Sequence, residues 1–484
     1  MRKLEGLEPE KVFRYFEELS AIPRGSGNEA AVSRYCMEFA RERGLSACQD
    51  ESNNVIITKE ATPGYEDAPG VILQGHLDMV CEKEADCTID FKKDGLRLAT
   101  DGDFVYAEGT TLGGDDGIAV AMALAILDDD TLEHPKLECV FTTEEETGLY
   151  GAEALDVSHL TGKRLINIDS EEEGIFTVSC AGGMESDCVL PVEYEEIGGC
   201  WYTVSVEGLQ GGHSGSDIHK ERGNSNILMG RLLCFLDESV NFRLGGLAGG
   251  LMDNAIPRST KACLCVQEED AEALEERLSY LEHVYREEFA ASDPGVTIRV
   301  EREGKKSAQA LTPKSAALLL LLLHMVPNGV IKNSMDMEGL VQTSLNLGIL
   351  KLDEDAAHLI FSVRSSVESE KAELGSRLRH ITEFLGGAYT QKGDYPGWAY
   401  RQDSPLRDTM SAVFERMYGK KPLVLAIHAG LECGFFSGKI EGLDCVSIGP
   451  DLYDVHTTRE RLSISSTKRV YEFIVEVLKE LKQA

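Results

Sequence analysis

Basic residues are scarce in this chain of 484 residues. Lysine and arginine together number 48, whereas aspartate and glutamate number 83, so the formal net charge at pH 7 is −35. Binding to nucleic acids requires Lys and Arg side chains that neutralise phosphates, and adhesion to anionic membranes requires the same residues. The charge balance therefore argues against both classes of partner, and by itself it does not point to a reaction.

Long apolar runs and paired cysteine motifs are also absent. The most apolar run, residues 316–326, is too short to cross a bilayer, so we expect a buried helix there. The N-terminal segment MRKLEGLEPEKVFRYF has no continuous apolar stretch, and we expect no secretory signal. The 13 cysteines include no CxxC pair, which argues against a zinc ribbon and a disulfide framework. We therefore expect reduced thiols and a cytoplasmic location.

Two kinds of apolar patterning divide the chain. Near both ends, short apolar runs bounded by Gly or Asp are typical of strands buried on both faces, as in a mainly parallel sheet covered by helices. From about residue 186, alternating strands and charged helices indicate an α+β insert, and the Gly-rich segment 386–397 is predicted to be its returning linker. We therefore predict an α/β catalytic domain of residues 1–186 and 398–484, interrupted by a domain of residues 187–397.

Five short polar segments are placed at predicted strand ends, where open α/β sheets bind ligands. Each alone has an ordinary explanation: a hydrogen-bonded His-Asp pair, a helix cap, a solvated charge run, a satisfied buried acid and a surface histidine. Together they provide histidines and carboxylates without cysteine, a donor set that suits zinc, manganese or cobalt and suffices for a dinuclear site with one bridging carboxylate. The segments are residues 75–78, 113–117, 143–148, 167–170 and 454–458.

Two of these segments carry local arguments for their chemistry. His76 and Asp78 are two residues apart in extended backbone, so their side chains face the same side, and Asp78 can either bind a metal or orient the imidazole. The adjacent carboxylates of Glu144, Glu145 and Glu146 repel one another unless cations or solvent relieve them. Neighbouring glutamates can divide the work between metal binding and general-base catalysis.

A series of motifs along nearly the whole chain resembles the cocatalytic-zinc peptidase family that includes carnosinases, glutamate carboxypeptidase and peptidase T. The resemblance implies an α/β fold, in which a zinc-peptidase-like catalytic domain with a mixed sheet is interrupted by an inserted α+β lid domain. The motifs are SAIPRGSGNE (20–29), LQGHLDMVCEK (73–83), GTTLGGDDGIAVAMALAIL (109–127), TTEEETGLYGAEAL (142–155), LINIDSEEEG (165–174), CAGG (180–183), GGHSG (211–215), NAIPR (254–258), HAGLECGFF (428–436) and RERLSI (459–464).

The same resemblance implies two divalent metal ions as cofactors, with zinc preferred and manganese or cobalt as alternatives. It implies that His76 and Asp169 hold one metal and that Glu146 and His456 hold the other. Asp115 is then the ligand that bridges the two metals.

Further roles in the catalytic domain are implied for residues beside these ligands. Asp78 is expected to orient His76, and Glu145 is expected to be the general base. Glu144 leaves an alternative register for the glutamate pair, but the spacing Glu-Glu-x-Gly favours Glu145. Asp116 stands where the resemblance leads us to expect Asn. We expect it to cap the following helix; the alternative is that the extra carboxylate perturbs the site.

In the lid domain, the resemblance implies that His213 helps to polarise the scissile carbonyl, often across a dimer; the alternative is a polar loop residue. Asn254 and Arg364 are candidates for binding the substrate carboxylate, because Arg pairs bidentately with carboxylates. His428 and Glu432, in the HAGLEC segment, are expected to lie near the substrate, without an assigned role.

The resemblance implies metal-dependent hydrolysis of dipeptides, preferentially Xaa-His dipeptides of the carnosine type, by a metal-bridged hydroxide with Glu145 as general base. The implied partners are the small dipeptide substrate and a second copy of the chain in a homodimer. Three alternatives remain open: another exopeptidase or an N-acyl amino acid amidohydrolase on the same site, a non-catalytic relative that binds metal or peptide, and an α/β protein without assignable activity.

Overall fold

The computed structural model describes residues 2–482, which form eleven α-helices and 23 strands. The helices are α1 (Glu10–Ser20), α2 (Ala30–Glu42), α3 (Gly114–Leu127), α4 (Tyr150–Ala154), α5 (Ser225–Asp237), α6 (Ala271–Glu288), α7 (Pro313–Met325), α8 (Glu368–Phe384), α9 (Pro405–Tyr418), α10 (Cys433–Lys439) and α11 (Ile464–Glu480). The strands are β1 (Ser46–Gln49), β2 (Val55–Lys59), β3 (Val71–His76), β4 (Leu98–Asp101), β5 (Phe104–Ala107), β6 (Leu137–Thr142), β7 (Arg164–Asn167), β8 (Ile175–Cys180), β9 (Gly182–Pro191), β10 (Tyr194–Glu207), β11 (Gly212–His213), β12 (Phe242–Gly249), β13 (Ala255–Ile256), β14 (Thr260–Val266), β15 (Thr297–Leu311), β16 (Gly329–Asn333), β17 (Val341–Leu352), β18 (Ala356–Ser365), β19 (Ala388–Tyr395), β20 (Leu423–Ile427), β21 (Asp444–Ser447), β22 (Leu452–Tyr453) and β23 (Arg461–Ser463).

The chain divides into two compact units, each with its own apolar core. The first unit contains residues 2–180, Tyr400–Ala426 and residues 431–482. The second unit contains Ala181–Ala399 and Ile427–Gly430. The short segment Ile427–Gly430 is therefore separated from its neighbours in the chain, a division that no local sequence pattern indicates.

An eight-stranded mixed sheet forms the centre of the first unit, in the order β1-β2-β6-β3-β7-β21-β8-β20. Strand β3 runs parallel to β6 and β7, β21 runs parallel to β7, and β2 runs antiparallel to β6. Every residue of β3 is buried, as expected for a strand covered on both faces. Because the carboxyl ends of parallel strands meet at one edge, the segments that follow β3, β6, β7 and β21 emerge together.

Helix α3 is the buried helix of this unit. Its residues from Ile118 to Leu127 are all buried, and its many alanines allow α1 to pack closely against it. Regular helical geometry begins only after Asp116, because both Asp115 and Asp116 have non-helical backbone angles. The two aspartates therefore belong structurally to the loop that precedes the helix.

A nine-stranded antiparallel sheet organises the second unit, in the order β15-β10-β14-β12-β17-β18-β9-β19, with β16 paired to β17. The prediction that residues 386–397 form a linker is wrong. Ala388–Tyr395 is strand β19, which pairs antiparallel with β9. As an edge strand, β19 is mostly exposed, so its sequence lacks the apolar alternation by which a buried strand is recognised.

The leucine-rich run forms helix α7 of the second unit. Leu319, Leu320, Leu322 and Leu323 are buried, whereas Leu321 is exposed, so the expected burial holds for one face of the helix. Among residues 2–482, no helix has both the length and the apolar composition needed to cross a bilayer.

Candidate functional site

The predicted metal-binding side chains converge at the carboxyl edge of the eight-stranded sheet. His76 ends β3, Glu146 follows β6 and Asp169 follows β7, while Asp115 precedes the regular part of α3. His456 lies in the loop between β22 and β23. The potential ligand atoms of Asp115, Glu146 and His456 all lie within 4.8 Å of one another. The topology thus brings together residues that are far apart in the sequence.

Asp115 lies between the two histidines. Its Oδ1 is 3.0 Å from Nε2 of His76, and its Oδ2 is 3.2 Å from Nε2 of His456. Glu146 Oε1 lies 3.0 Å from that same nitrogen of His456, and Asp169 Oδ1 lies 3.8 Å from Nε2 of His76. A carboxylate with one oxygen directed to each imidazole has the arrangement that a bridging metal ligand requires.

Asp78 holds both His76 and the glutamate loop. Its Oδ1 lies 3.3 Å from Nδ1 of His76, on the side of the ring opposite Nε2. The backbone N–H groups of Glu145 and Glu146 donate to the two carboxylate oxygens of Asp78 at 3.1 and 3.2 Å, and the Ser26 hydroxyl donates at 2.8 Å. Asp78 therefore links the orientation of the imidazole to the position of the glutamates.

The neighbouring carboxylates raise the pKa values of both His76 and His456. Hydrogen bonds to Asp115 and Glu146 raise the pKa of His456 to about 10. Burial opposes the charged form of His76, but Asp115 and Asp78 outweigh it and raise its pKa well above the ordinary value. The neighbouring carboxylates therefore favour the protonated form of both imidazoles.

The carboxylates themselves are crowded. Burial raises the pKa of Glu145 to about 8, and the charges of Glu432 and Glu146 contribute in the same direction. Burial also raises the pKa values of Asp169 and Asp116 well above the ordinary range. Oxygen and imidazole donors at this spacing, with more negative charge than the histidines neutralise, fit two divalent cations.

Asp116 has a different position from the one predicted. Its Oδ2 accepts the backbone N–H of His76 at 3.2 Å, so the prediction that it caps α3 is wrong. The non-helical backbone at Asp115 and Asp116 turns this carboxylate toward β3 instead. Asp116 also forms a group of potential ligand atoms with His76 and Asp169.

Glu460 was not singled out from the sequence, yet it anchors the loop that carries Asp115. Its Oε2 accepts the backbone N–H groups of Leu112 at 2.7 Å and Gly113 at 3.0 Å. Its Oε1 accepts those of Gly114 at 2.8 Å and Asp115 at 3.3 Å. One buried carboxylate thus satisfies four consecutive backbone donors. In the sequence, the place of Glu460 in the RERLSI motif is the feature that indicates a role for it.

Arg24 connects two of the same loops. Its Nη1 donates to the carbonyl oxygens of Leu77 at 2.9 Å and Asp78 at 3.0 Å, and its Nη2 donates to the carbonyl of Gly113. The side chain is buried. Arg24 lies in the SAIPRGSGNE motif. Its charge within that motif is the feature of the sequence that indicates a role for it.

Glu432 lies in the first unit, in contact with side chains of β3 and β6. Its Oε2 accepts hydrogen bonds from Gln74 Nε2 at 2.5 Å and Thr142 Oγ1 at 2.7 Å, while Oε1 is buried without a partner. Burial raises the pKa of Glu432 to about 7. Gln74 and Thr142 belong to β3 and β6, so Glu432 is tied to the strands that carry the site.

The remaining predicted residues belong to the second unit. His213 Nδ1 accepts the backbone N–H groups of Gly215 and Ser216, each at 3.2 Å, which leaves Nε2 of the neutral ring to carry a proton. Burial and the charge of Arg364 lower the pKa of His213. The carbonyl of Asn254 accepts a hydrogen bond from Ser214 N at 2.8 Å and so ties its loop to the one that carries His213.

His428 also lies in the second unit, although Glu432 is only four residues away in the chain. Its Nε2 is 2.7 Å from Ser344 Oγ. Burial and the charge of Arg364 lower the pKa of His428 to about 3, so this imidazole is neutral near pH 7. The second unit therefore groups Arg364 with two neutral histidines.

Comparisons with known proteins identify a family and a full-length relative to which this chain is similar. The sequence model of the Peptidase family M20/M25/M40 matches residues 72–480. The cytosol non-specific dipeptidase of Escherichia coli K12 is 36% identical over 483 residues, which are 99% of this chain and 99% of that protein.

Solved structures show the same similarity. The crystal structure of aminoacylhistidine dipeptidase from Vibrio alginolyticus superposes with a TM-score of 0.95 and 34% identity, covering 99% of this chain and 98% of that one. Aminopeptidase PepT from Bacillus cereus superposes with a TM-score of 0.56 over 99% of this chain and 100% of its own. Its 14% identity limits the likeness to the fold.

Proposed function

The chain belongs to peptidase family M20/M25/M40, and we propose from this that it is a dipeptidase whose hydrolysis of dipeptides depends on divalent metal. The names of the E. coli and Vibrio relatives, both dipeptidases similar over the full length, support dipeptides as the substrate class. The observation that carries the proposal is Asp115, with one carboxylate oxygen directed to each of His76 and His456.

We propose that His76 and Asp169 would hold one metal, that Glu146 and His456 would hold the other, and that Asp115 would bridge them. The clustering of their potential ligand atoms and the acidic donor set support this assignment. When bound, the two cations supply Lewis acidity, which activates water and polarises the scissile carbonyl. Zinc suits these donors, and manganese and cobalt suit them as well.

Glu145 is proposed to take a proton from the attacking water and to deliver it to the leaving amine. Its raised pKa, about 8, favours a group that accepts and returns a proton near neutral pH. The hydrogen bond from its backbone N–H to Asp78 holds the residue in place beside Glu146. Asp78 is proposed as the residue that orients His76.

In the second unit, His213 is proposed to stabilise the developing oxyanion by a hydrogen bond from its Nε2–H, which the acceptor role of its Nδ1 supports. Arg364 is proposed to bind the substrate carboxylate, together with Asn254. His428 lies within the electrostatic influence of Arg364, and we propose that it contributes to the same substrate-binding surface. Glu432 contributes by supporting the strands of the metal site.

Three finer points belong to this proposal. We propose Xaa-His dipeptides as the preferred substrates, which the name of the Vibrio relative supports. A cytoplasmic location is supported by the name of the E. coli relative. A homodimer and the domain boundaries at residues 186 and 397 rest on the resemblance and the sequence patterning alone.

Substrate profiling tests the proposed activity. Purified protein loaded in turn with zinc, manganese or cobalt is assayed against carnosine, other dipeptides, tripeptides and N-acetyl amino acids. Hydrolysis concentrated on dipeptides, with Xaa-His fastest, is the expected result. Preferred cleavage of N-acetyl amino acids would point to an amidohydrolase, and binding of Xaa-His without hydrolysis by metal-loaded protein would point to a non-catalytic relative.

Glu145→Gln tests the proposed general base, with Glu144→Gln as a control that makes the same chemical change one residue away. Metal content is measured by elemental analysis for both variants. Glu145→Gln should reduce kcat by about 10²- to 10⁴-fold with metal occupancy retained. Near-normal turnover with full metal occupancy would show that Glu145 is not the general base.

A further inference from the structure

A row of four directly paired residues crosses the sheet of the second unit. Ser344 on β17 pairs with Arg364 on β18, Arg364 pairs with Gly183 on β9, and Gly183 pairs with Tyr395 on β19. Directly opposed residues in an antiparallel sheet present their side chains on the same face. Within this row, Gly183 is the position without a side chain.

Tyr395 reaches Arg364 across that gap. The Oη of Tyr395 accepts a hydrogen bond from Nη1 of Arg364 at 3.0 Å, although the two residues lie on strands separated by β9. A Cβ added at Gly183 would lie 2.5 Å from this Oη and 2.6 Å from Cζ of Tyr395. The absence of a side chain at Gly183 therefore leaves the space in which the tyrosine ring lies.

Arg364 makes no ion pair with an Asp or Glu of residues 2–482. Its side chain is buried, and its Nε has no hydrogen-bond partner. A buried guanidinium without a carboxylate partner carries a desolvation cost, which an anionic ligand would offset. The hydroxyl of Tyr395 restrains the planar group without neutralising it.

The backbone of Tyr395 is itself anchored. The buried Lys371 donates from Nζ to the carbonyl oxygen of Tyr395 at 2.6 Å, and it forms an ion pair with Asp394 at 2.5 Å. The pairing of β19 with β9 is irregular between Lys392 and Tyr395, so this bond compensates for lost ladder contacts at the end of the strand. The tyrosine is thus held at both its backbone and its hydroxyl.

We propose that Tyr395 is a positioning residue that fixes the guanidinium of Arg364 for the C-terminal carboxylate of the substrate, and that Gly183 is required to let it do so. This inference rests on the proposed function, in which Arg364 binds that carboxylate. Tyr395 acts through Arg364 and supplies no group to the reaction. Its contribution therefore concerns the recognition of a carboxylate at a fixed distance from the scissile bond. This distinguishes a dipeptide from a C-terminally blocked one, and from a longer peptide whose carboxylate lies further away.

Tyr395→Phe tests this role, because it removes only the hydroxyl. The matched control is Tyr389→Phe on the same strand, where the lost hydroxyl contacts Ser186 at 2.8 Å. With the metal-loaded enzyme, Tyr395→Phe should raise KM for an Xaa-His dipeptide about fivefold and leave kcat within about twofold. The inhibition constant of the matching dipeptide amide, which has no carboxylate, should not change, and Tyr389→Phe should alter neither quantity.

Gly183→Ala provides a second route to the same result. The added methyl should displace the tyrosine hydroxyl and raise KM for the free dipeptide as Tyr395→Phe does. Gly198→Ala is its control, because an added Cβ at Gly198 meets no atom within 4 Å. Agreement between the two routes would separate the loss of the hydroxyl contact from a general effect on the sheet.

Two results would overturn the inference in distinguishable ways. An unchanged KM in Tyr395→Phe, or an equal weakening of the free dipeptide and its amide, would show that Tyr395 does not position Arg364. If wild-type enzyme binds the free dipeptide and its amide equally well, and Arg364→Met changes neither, the proposed carboxylate-binding role of Arg364 itself fails. In that case the dipeptidase activity can stand while this inference falls.

Discussion

At the scale of single residues, a few buried charges decide the geometry of the metal site by holding backbone. Glu460 accepts four backbone N–H groups ahead of the regular part of α3, and Asp78 accepts two from the glutamate loop. Each charge-assisted hydrogen bond is stronger than a neutral one, and here each fixes a loop rather than a single side chain. Substitution of such a residue should disturb the ligand that its loop carries.

Glu460→Gln should weaken metal binding, because the amide cannot accept four backbone donors and presents its own NH₂ to some of them. We expect the dissociation constant for manganese to rise about 10- to 100-fold, as for other residues that orient a metal ligand. Calorimetric titration of metal-depleted protein measures it. The exposed Glu441→Gln is the control, and an unchanged affinity in Glu460→Gln would contradict the anchoring role.

At the scale of elements, close packing between α4 and the loop after β6 positions the glutamate loop. Gly151 N–H donates to the carbonyl of Thr143 at 2.9 Å, and the Asn54 amide donates to the carbonyl of Gly151 at 3.0 Å. Asn54 Oδ1 in turn accepts Thr143 N–H at 3.0 Å. The loop that presents Glu145 and Glu146 therefore begins at a backbone contact that leaves no space for a side chain.

Gly151→Ala should disturb this contact, because an added Cβ would lie 2.6 Å from both Thr143 N and Asn54 Oδ1. We expect a loss of about 1–3 kcal/mol in the free energy of unfolding, the usual range for overpacking, together with a reduced kcat. Denaturant unfolding and steady-state kinetics measure the two effects. Gly246→Ala is the control, since its Cβ would meet only Cys263 at 3.5 Å. Wild-type kinetics in Gly151→Ala would argue against a positioning role for this packing.

At the scale of the whole molecule, the net charge of −35 and the site acids are separate properties. Only a handful of the 83 acids face the proposed metals, so most of the charge favours solubility and attracts cations without selecting them. The site acids lie close enough to repel one another in the metal-free protein. They are Asp78, Asp115, Asp116, Glu145, Glu146 and Asp169.

Removal of metal should therefore lower the thermal stability of the chain, and the stabilisation by metal should grow with pH. His456, with its pKa raised to about 10, and His76, whose pKa is also raised, hold protons at neutral pH that a cation must displace. Raising the pH from 6 to 8 lowers the free-energy cost of displacing these protons, so the apparent affinity for metal rises. Free metal at a hundredfold excess over Kd stabilises the folded state by about 2.7 kcal/mol.

Thermal unfolding of chelator-treated protein, with and without manganese at each pH, measures this linkage. Asp115→Asn is the matched variant, because it removes the charge shared by the two histidines, and its melting temperature should respond weakly to manganese. Metal stabilisation that is equal at pH 6 and pH 8 would contradict displacement of protons from the histidines.

The sequence by itself determined the fold class and the family, and it predicted most of the side chains that the structure brings together at the candidate site. The predicted α/β fold with a mixed sheet and an inserted α+β lid domain is confirmed, as is membership in a metallopeptidase family. Burial on both faces leaves continuous apolar runs such as β3, and chemistry at a strand end leaves His76 and Asp78 two residues apart. Such features are local, so they can be read without knowledge of distant contacts. The catalytic and metal-binding roles of individual residues stay predictions.

The tertiary structure alone decided what depends on contacts between distant segments. The edge strand β19 carries no apolar alternation, and only its pairing with β9 identifies it. Asp116 turns to His76 rather than to its own helix, and Glu460 holds a loop some 345 residues away in the chain. Tyr395 reaches Arg364 only because Gly183, on the intervening strand β9, has no side chain. Local patterning reports burial and short-range chemistry, whereas these contacts exist only once the strands have assembled.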